Sequence, residues 1–560
     1  MFDAIVIGSG MSGGWAAKEL AERGLKTLVI ERGKNLEHRT DYSDMTPPWK
    51  LPDAGMVPED ELERDYAVQS KCYAMSSANK QLWVKDSEHP YSHPPERPFY
   101  WIRGYHLGGR SLTWGRQTYR LSEMDFAANG KDGHGADWPI RYADLAPWYD
   151  HVEKFAGISG SSEGLAQLPD GQFLPAMALL PAEEDFAKKI SAAFPGRRPI
   201  PGRCAHLTAS RPQDAELGRS PCQYRSVCER GCSFGAYFSS LSATLPAARR
   251  TNNVTIVTDA IAHSIVYDPK TNRATGVRVI DANTREGKTY EARVIFVCAS
   301  AIATAQILLN STSEAFPNGL ANRSGAVGRY LMDHLGVSAA GPYAGFQDLY
   351  YRGRRPSGLY IPRYRNVTEP ATFLRGYGFQ GGVYRMGWKL GGATQPGVGT
   401  ALKARLRQPG PWVAGLAGFG EMLPDANNRV TLHPTRVDRW GVPIVHIDCT
   451  VGENDKQMMA HMLEDAKAML QAAGVPVAMA SKGEKKLGLG IHEMGTARMG
   501  RDPATSVLNK FNQAHDVPNL FITDGAAMAS GGCQNPSLTY MAMSARGAHH
   551  AAEFLRSGTI

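Results

Sequence analysis

At 560 residues the chain is too long for one hydrophobic core, because single cores stop growing near ~250–300 residues, so two domains are expected. With 42% hydrophobic and 21% charged residues it has a globular composition, and no apolar run reaches the ~18 residues that a membrane span needs. A net charge of +8 is small for this length and, without a basic arm or an RNA-binding aromatic motif, argues against a nucleic-acid partner.

The chain opens on an apolar strand, Phe2 to Ile7, that runs into Gly8, Gly10 and Gly13 in G-x-G-x-x-G spacing. A helical pattern follows, with Trp15, Ala16, Leu20 and Ala21 on one face, then a second apolar strand, Thr27 to Ile30, closed by Glu31. This βαβ order is the context that a dinucleotide requires: one glycine makes the tight turn, one lets the backbone approach a pyrophosphate, and one lets helix pack on strand. The helix N-terminus offers unpaired N–H groups and a positive dipole end to the phosphates. Glu31 is placed to accept hydrogen bonds from an adenosine ribose. The motif alone leaves NAD and FAD open.

The stretch up to Pro98 is polar and proline-rich. YWIRGYHLGGRSLTWGR, Tyr100 to Arg116, pairs Gly108 with Gly109 and suggests backbone lying against a ligand, although a plain loop would also use glycines. Asp137 to Phe155 reads as a turn leading into an amphipathic helix whose aromatics serve the core. Strand-like runs alternate at Val254–Val257, His263–Tyr267, Thr275–Val279 and Arg293–Cys298, the last passing into a helix as in a nucleotide-binding sheet. From about Val337 to Ala480 aromatic-rich strands surround one clear helix, Glu453 to Ala473. Within that stretch Arg352, Arg354, Arg355, Arg363 and Arg365 form either a solvated loop or a docking surface for a redox partner. Near the end, Leu520 to Thr523 is a strand that stops at Asp524–Gly525, and Pro536 opens a last helix. Asp524 reads as a turn residue or a cofactor contact.

The eight cysteines, Cys72, Cys204, Cys222, Cys228, Cys232, Cys298, Cys449 and Cys533, form no disulfide framework. Three of them cluster in CQYRSVCERGC, with five and then three intervening residues. Soft thiolates at that spacing suit iron–sulfur or zinc; zinc wants a fourth ligand, for which Cys204 is the upstream candidate, and free buried cysteines are the bland alternative. The first strand begins at Phe2 and leaves no room for a secretory signal, so the expected location is the cytoplasm, or the periplasm by co-export with a signal-bearing partner.

Taken together, GSGMSGG with Glu31, LGGRSLTWG, CASAIATAQILLNS, GRYLMDHLG, HEMGT and CQNPS resemble the glucose–methanol–choline (GMC) flavoenzyme family from end to end. Ala305 and Thr312 depart from the family's second signature. The resemblance implies an α/β fold, with a doubly wound, Rossmann-like FAD-binding domain at 1–40, 98–120, 215–336 and 481–560. An antiparallel-sheet substrate and partner-facing domain would fill 41–97, 121–214 and 337–480. It implies FAD rather than NAD, held by Gly8, Gly10, Gly13, Glu31, Gly108, Gly109, Ser111, Val257, Asp524, Gly525 and Pro536. Relatives that attach FAD through a histidine carry it where this chain has Thr113, and His106 lies on the wrong side of the glycines, so the cofactor is expected to be non-covalent.

His492 and Asn535, 43 residues apart, match the His/Asn pair of family sugar dehydrogenases. A neutral histidine suits removal of a hydroxyl proton near pH 7, and an asparagine amide can orient the same hydroxyl. Asn535 also precedes a proline, so it could instead cap the last helix. The cysteine spacing resembles that of bacterial sugar-dehydrogenase catalytic subunits, which implies a [3Fe–4S] cluster on Cys222, Cys228 and Cys232. The expected activity is FAD-dependent oxidation of a sugar or glycoside hydroxyl, with glucoside 3-dehydrogenases resembling the chain most. A small subunit and a cytochrome c, or a quinone, would take the electrons. An O2-using oxidase and a non-catalytic flavin-binding subunit stand as alternatives.

Overall fold

The computed structural model describes all residues except 347–357, 387–396, 408–409, 484–485 and 559–560. Two sheets organise it. The first has a parallel core in the order Val254–Val257, Thr27–Ile30, Phe2–Ile7, Gly287–Val297, Leu520–Ile522. These strands are short and β-branched, and the central ones are buried on both faces, as parallel strands must be. The strand Gly287–Val297 belongs to two layers. Its second half pairs with Phe2–Ile7, while its first half continues an antiparallel meander with Arg273–Asp281 and Ala260–Asp268.

One face of the parallel core (Ala4, Val6, Val29, Val294, Phe296) is covered by the helix Met11–Glu22, through Ala16, Ala17 and Leu20, and by the C-terminal helix Ser537–Arg556, through Ala548, Ala551 and Leu555. The other face (Ile5, Ile7, Leu28, Ile30, Ile295) joins the main core with Ile265 and Val277 of the meander and Ile302 of the helix Ala301–Asn310. The predicted helix at Asp137–Phe155 forms as Tyr142–Ala156 and packs against the C-terminal helix.

The second sheet is antiparallel throughout, in the order Met479–Lys482, Leu335–Pro342, Trp412–Gly420, Tyr377–Arg385, Leu359–Ile361, Ile200–Pro201. The helix Glu453–Ala472 lies on one face, where Met458 and Met462 fill the space left by Gly420 and Gly418. Because side chains alternate along a strand, Gln380 and Phe419 fall on the opposite face. Of the arginines read as a solvated loop or a docking surface, Arg352, Arg354 and Arg355 lie outside the described residues. Arg363 and Arg365 turn inward instead: Arg365 pairs with Asp465 at 2.7 Å, and the buried Arg363 donates to the Arg375 carbonyl. No helix among the described residues is long and apolar enough to cross a membrane.

Candidate active site

A cavity of about 390 Å³ runs from the first glycine loop to the antiparallel sheet. At one end it is lined by Gly8, Gly10, Glu31 and Cys298, and at the other by His492, Asn535, Gln380 and Phe419. Gly109, Ser111, Thr113, Asp524 and Gly525 line it between them. Gly13, Gly108, Val257 and Pro536 do not line it. Gly13 packs the helix on the strand turn, where a Cβ would stand 1.9 Å from the Gly8 carbonyl oxygen. Gly108 donates its N–H to the Ser9 hydroxyl, and Val257 accepts the Glu31 N–H. Gly10 is the opposite of Gly13: no atom of the described residues beyond its chain neighbours lies within 4 Å of where its Cβ would be.

Ser9, between the motif glycines, holds the glycine loops and the acid together. Its hydroxyl donates to Glu31 Oε2 while accepting the Gly108 N–H, and its own N–H reaches the same carboxylate. Gly33 N–H donates to the other carboxylate oxygen at 2.9 Å. Burial pushes the Glu31 carboxyl up, and these bonds pull against it. Asp524 receives the Thr304 hydroxyl at 2.6 Å and the Ala526 N–H at 2.9 Å, and burial pushes its pKa up to about 6. The Tyr540 hydroxyl, buried on the cavity wall, has no hydrogen-bond partner among the described residues. A polar ligand supplies such a partner. With the open space at Gly10, the helix N-terminus and the acid at Glu31, the donor set fits a dinucleotide.

At the other end the segments 332–334 and 492–494 run side by side, Met332 and Met494 exchanging backbone hydrogen bonds at 2.9 and 3.0 Å. The Asp333 carboxylate gathers four backbone N–H groups, from His334, Gly488, Gly490 and His492, and so fixes the loop that carries His492. Burial, with the Glu493 charge nearby, pushes Asp333 up to about 7 against those bonds. The tautomers follow from one carbonyl. His334 Nε2 stands 2.8 Å from the Gly532 carbonyl oxygen, which can only accept, so this nitrogen carries the proton. His334 Nδ1 is then a lone pair, and it accepts from His492 Nδ1–H at 2.8 Å. His492 Nε2 is left without a proton, facing the cavity. Burial, followed by the nearby His334 and Arg110, drives the His492 pKa well below 6.5, so the ring is a neutral base.

Asn535 Nδ2 lies 3.3 Å from His492 Nε2, and Asn535 Oδ1 accepts from Gln380 Nε2 at 2.5 Å. The last helix starts at Ser537 with Pro536 as its cap and no side-chain cap bond, and the Asn535 amide is turned to the histidine. His106, buried and bonded to the Leu107 carbonyl, does not line the cavity. Sequence reading missed His334, Asp333, Gln380 and Ser9. The two in GRYLMDHLG sat in a quoted family phrase, whereas nothing in the sequence around Gln380 marked it.

The cysteine segment folds back beside the cavity. Cys228 Sγ is 3.8 Å from His206 Nε2, and burial, with the other three thiols nearby, pushes Cys222 up to about 12. Arg116, which lines the cavity, is close enough to Cys228 to stabilise its thiolate, and its carbonyl accepts the N–H of Ala205, next to Cys204. Among the described residues no three His, Cys, Asp or Glu side chains converge to hold a metal ion, so the arrangement that the zinc alternative would need is not found at Cys222, Cys228 and Cys232.

Comparison with known proteins agrees with this architecture. The GMC oxidoreductase family matches residues 2–336 and, through its C-terminal part, 424–544. The fructose dehydrogenase large subunit of Gluconobacter japonicus is 27% identical, over 99% of this chain and 98% of that one. Paromamine 6'-oxidase of Streptomyces fradiae is 29% identical, over 99% of this chain and 91% of that one. In fold, the Aspergillus oryzae formate oxidase superposes with a TM-score of 0.63 at 15% identity, covering 99% of both chains. The chain therefore belongs to the GMC oxidoreductase family and is an FAD-dependent oxidoreductase.

Proposed function

We propose that the chain is a dehydrogenase that oxidises a secondary or anomeric hydroxyl of a sugar or glycoside, C3 among the candidate positions. The observation that carries this reading is the unprotonated Nε2 of a neutral, buried His492, held at the cavity end beside the Asn535 amide. Bound FAD supplies the hydride acceptor, at flavin N5. The substrate hydroxyl displaces the Asn535 N–H from the single lone pair of His492 Nε2 and gives its proton there, and the freed Asn535 amide N–H bonds the same oxygen as negative charge develops on it. Gly8, Gly10, Glu31, Gly109, Ser111, Asp524 and Gly525 hold the cofactor, with Gly13, Gly108, Val257 and Pro536 shaping the backbone behind them. A sugar or glycoside substrate is supported by the likeness to the fructose dehydrogenase large subunit.

Electrons leave, in this reading, through a [3Fe–4S] cluster on Cys222, Cys228 and Cys232 to a cytochrome or quinone, with a small subunit as partner. Each thiolate of such a cluster binds a different iron, so the sulfurs need not converge on one point. Arg116, between cavity and cysteines, supports that route. A periplasmic site would follow from export with that partner. The likeness to paromamine 6'-oxidase favours a second reading, in which O2 is the acceptor and the cysteines are free thiols.

Two measurements separate these. Anaerobic addition of a panel of sugars and glycosides should bleach the flavin band; no bleaching by any of them would sink the substrate class. Iron quantitation with electron paramagnetic resonance of the oxidised protein should find about three irons per chain and a three-iron signal. Iron-free protein with rapid peroxide release would establish the oxidase instead.

A further inference from the structure

We propose that Gln380, on the far side of the cavity from the cofactor loop, is the positioning residue that decides which end of the Asn535 amide faces His492. The inference rests on the reading of His492 as the base. A carboxamide has a donor end and an acceptor end, and rotating it by half a turn exchanges them with almost no change in shape. For Asn535 the exchange matters. With Nδ2 towards His492, the amide donates to the Nε2 lone pair and leaves the ring neutral. With Oδ1 towards His492, the carbonyl would repel that lone pair unless Nε2 carried a proton, and a protonated Nε2 cannot act as a base.

One set of bonds runs without a break through the site. The Gly532 carbonyl fixes His334, His334 fixes His492, and Asn535 donates to His492. Gln380 closes the far end, donating from Nε2 to Asn535 Oδ1 at 2.5 Å. Its partner belongs to a different layer: Gln380 sits on the strand Tyr377–Arg385 of the antiparallel sheet, opposite Ala417, and reaches across the cavity to the start of the C-terminal helix. The substrate-side sheet therefore sets the orientation of an amide on the cofactor side.

The test uses the FAD-loaded protein with Gln380→Glu, Gln380→Met, Asn535→Ala and the Gln380→Met/Asn535→Ala pair. A glutamate carboxylate has the same shape but cannot donate, so it draws Asn535 Nδ2 to itself and turns Oδ1 to His492. Nitrogen-15 NMR of histidine-labelled protein should then show His492 protonated at both ring nitrogens in Gln380→Glu, and at Nδ1 alone in the parent and in Gln380→Met. This readout needs no substrate, so it stands even if no sugar reduces the flavin and the reading of function fails. With a reducing sugar, flavin reduction at pH 7 should fall about 100-fold in Gln380→Glu and about tenfold in Gln380→Met, with the pH limb moved upward only in the former. Because Gln380 acts through Asn535, Gln380→Met should add nothing to Asn535→Ala. A His492 that keeps a single proton, on Nδ1, in Gln380→Glu would overturn the proposal. So would additive losses in the pair, or a Gln380→Met change confined to KM, which would make Gln380 a substrate contact.

Discussion

His492 takes its protonation state from the groups packed around it. A histidine in water titrates near 6.5, and this one is driven well below that by burial first and by His334 and Arg110 after it. The sign of the pH dependence follows. A base must be unprotonated to work, so the acid limb of flavin reduction falls at the lowered pKa, and the rate stays flat from there through neutrality. The reductive half-reaction followed by stopped flow from pH 5 to 9 should therefore show no limb at or above 6.5. A limb at 7 would mean that the Gly532–His334–His492 relay does not hold the ring neutral. His492 and Asn535, the base and amide of the proposed function, could be singled out in the sequence because each sits in a short phrase, HEMGT and CQNPS. The residues that set their protonation were not, because His334 lies 158 positions from His492 and Gln380 lies 155 from Asn535. No local pattern encodes a contact of that range.

At the scale of elements, the glycine loop separates packing from binding. A Cβ at Gly13 would collide with the Gly8 carbonyl, whereas at Gly10 it would meet no protein atom and only narrow the cavity. Gly13→Ala is thus expected to lower both Tm and cofactor content. Gly10→Ala should leave the Tm of the FAD-free protein within about 2 °C of the parent and still reduce bound FAD, because nothing but the ligand competes for that space. Equal losses of apo stability in both variants would contradict this division. Here the sequence was informative, since the strand, turn, helix and second strand are contiguous and their periodicities change where the elements do. The cysteine segment was less so. Spacing brought three thiols into one neighbourhood, but spacing says nothing of where the sulfurs point, and they do not converge on one ion.

The whole molecule joins two sheets whose strands come from distant parts of the chain. Both the parallel and the antiparallel sheets were expected, but not that Ile200–Pro201 would close one edge, nor that Gly287–Val297 would serve two layers at once. A strand of two residues carries no periodicity, and the polar, exposed first half of Gly287–Val297 hides its continuity with the apolar run that begins at Arg293. The helices outside the parallel core meet at Glu19, which pairs with Lys18 and Arg23 of its own helix and with His151 of Tyr142–Ala156, at 3.0, 2.6 and 2.7 Å. Burial raises its pKa, but the His151 and Lys18 contacts outweigh it and bring the carboxyl from 4.5 down to about 2. A carboxylate depressed in the folded state stabilises above its unfolded pKa, and that share is lost as pH falls from 4.5 towards 2. It amounts to about 3 kcal/mol. Chemical denaturation of parent and Glu19→Gln should differ by that order at pH 7 and converge by pH 2; a gap independent of pH would place the stabilisation in packing.

The central claim is that FAD held along the cavity is reduced by a sugar or glycoside hydroxyl whose proton goes to His492. The most direct test is anaerobic stopped-flow reduction of the flavin by the best substrate of a sugar panel, in the parent and in His492→Ala at matched FAD content. The rate should fall by about 10²–10⁴-fold in the variant while the flavin stays bound. Reduction at a near-parental rate in His492→Ala would contradict the account.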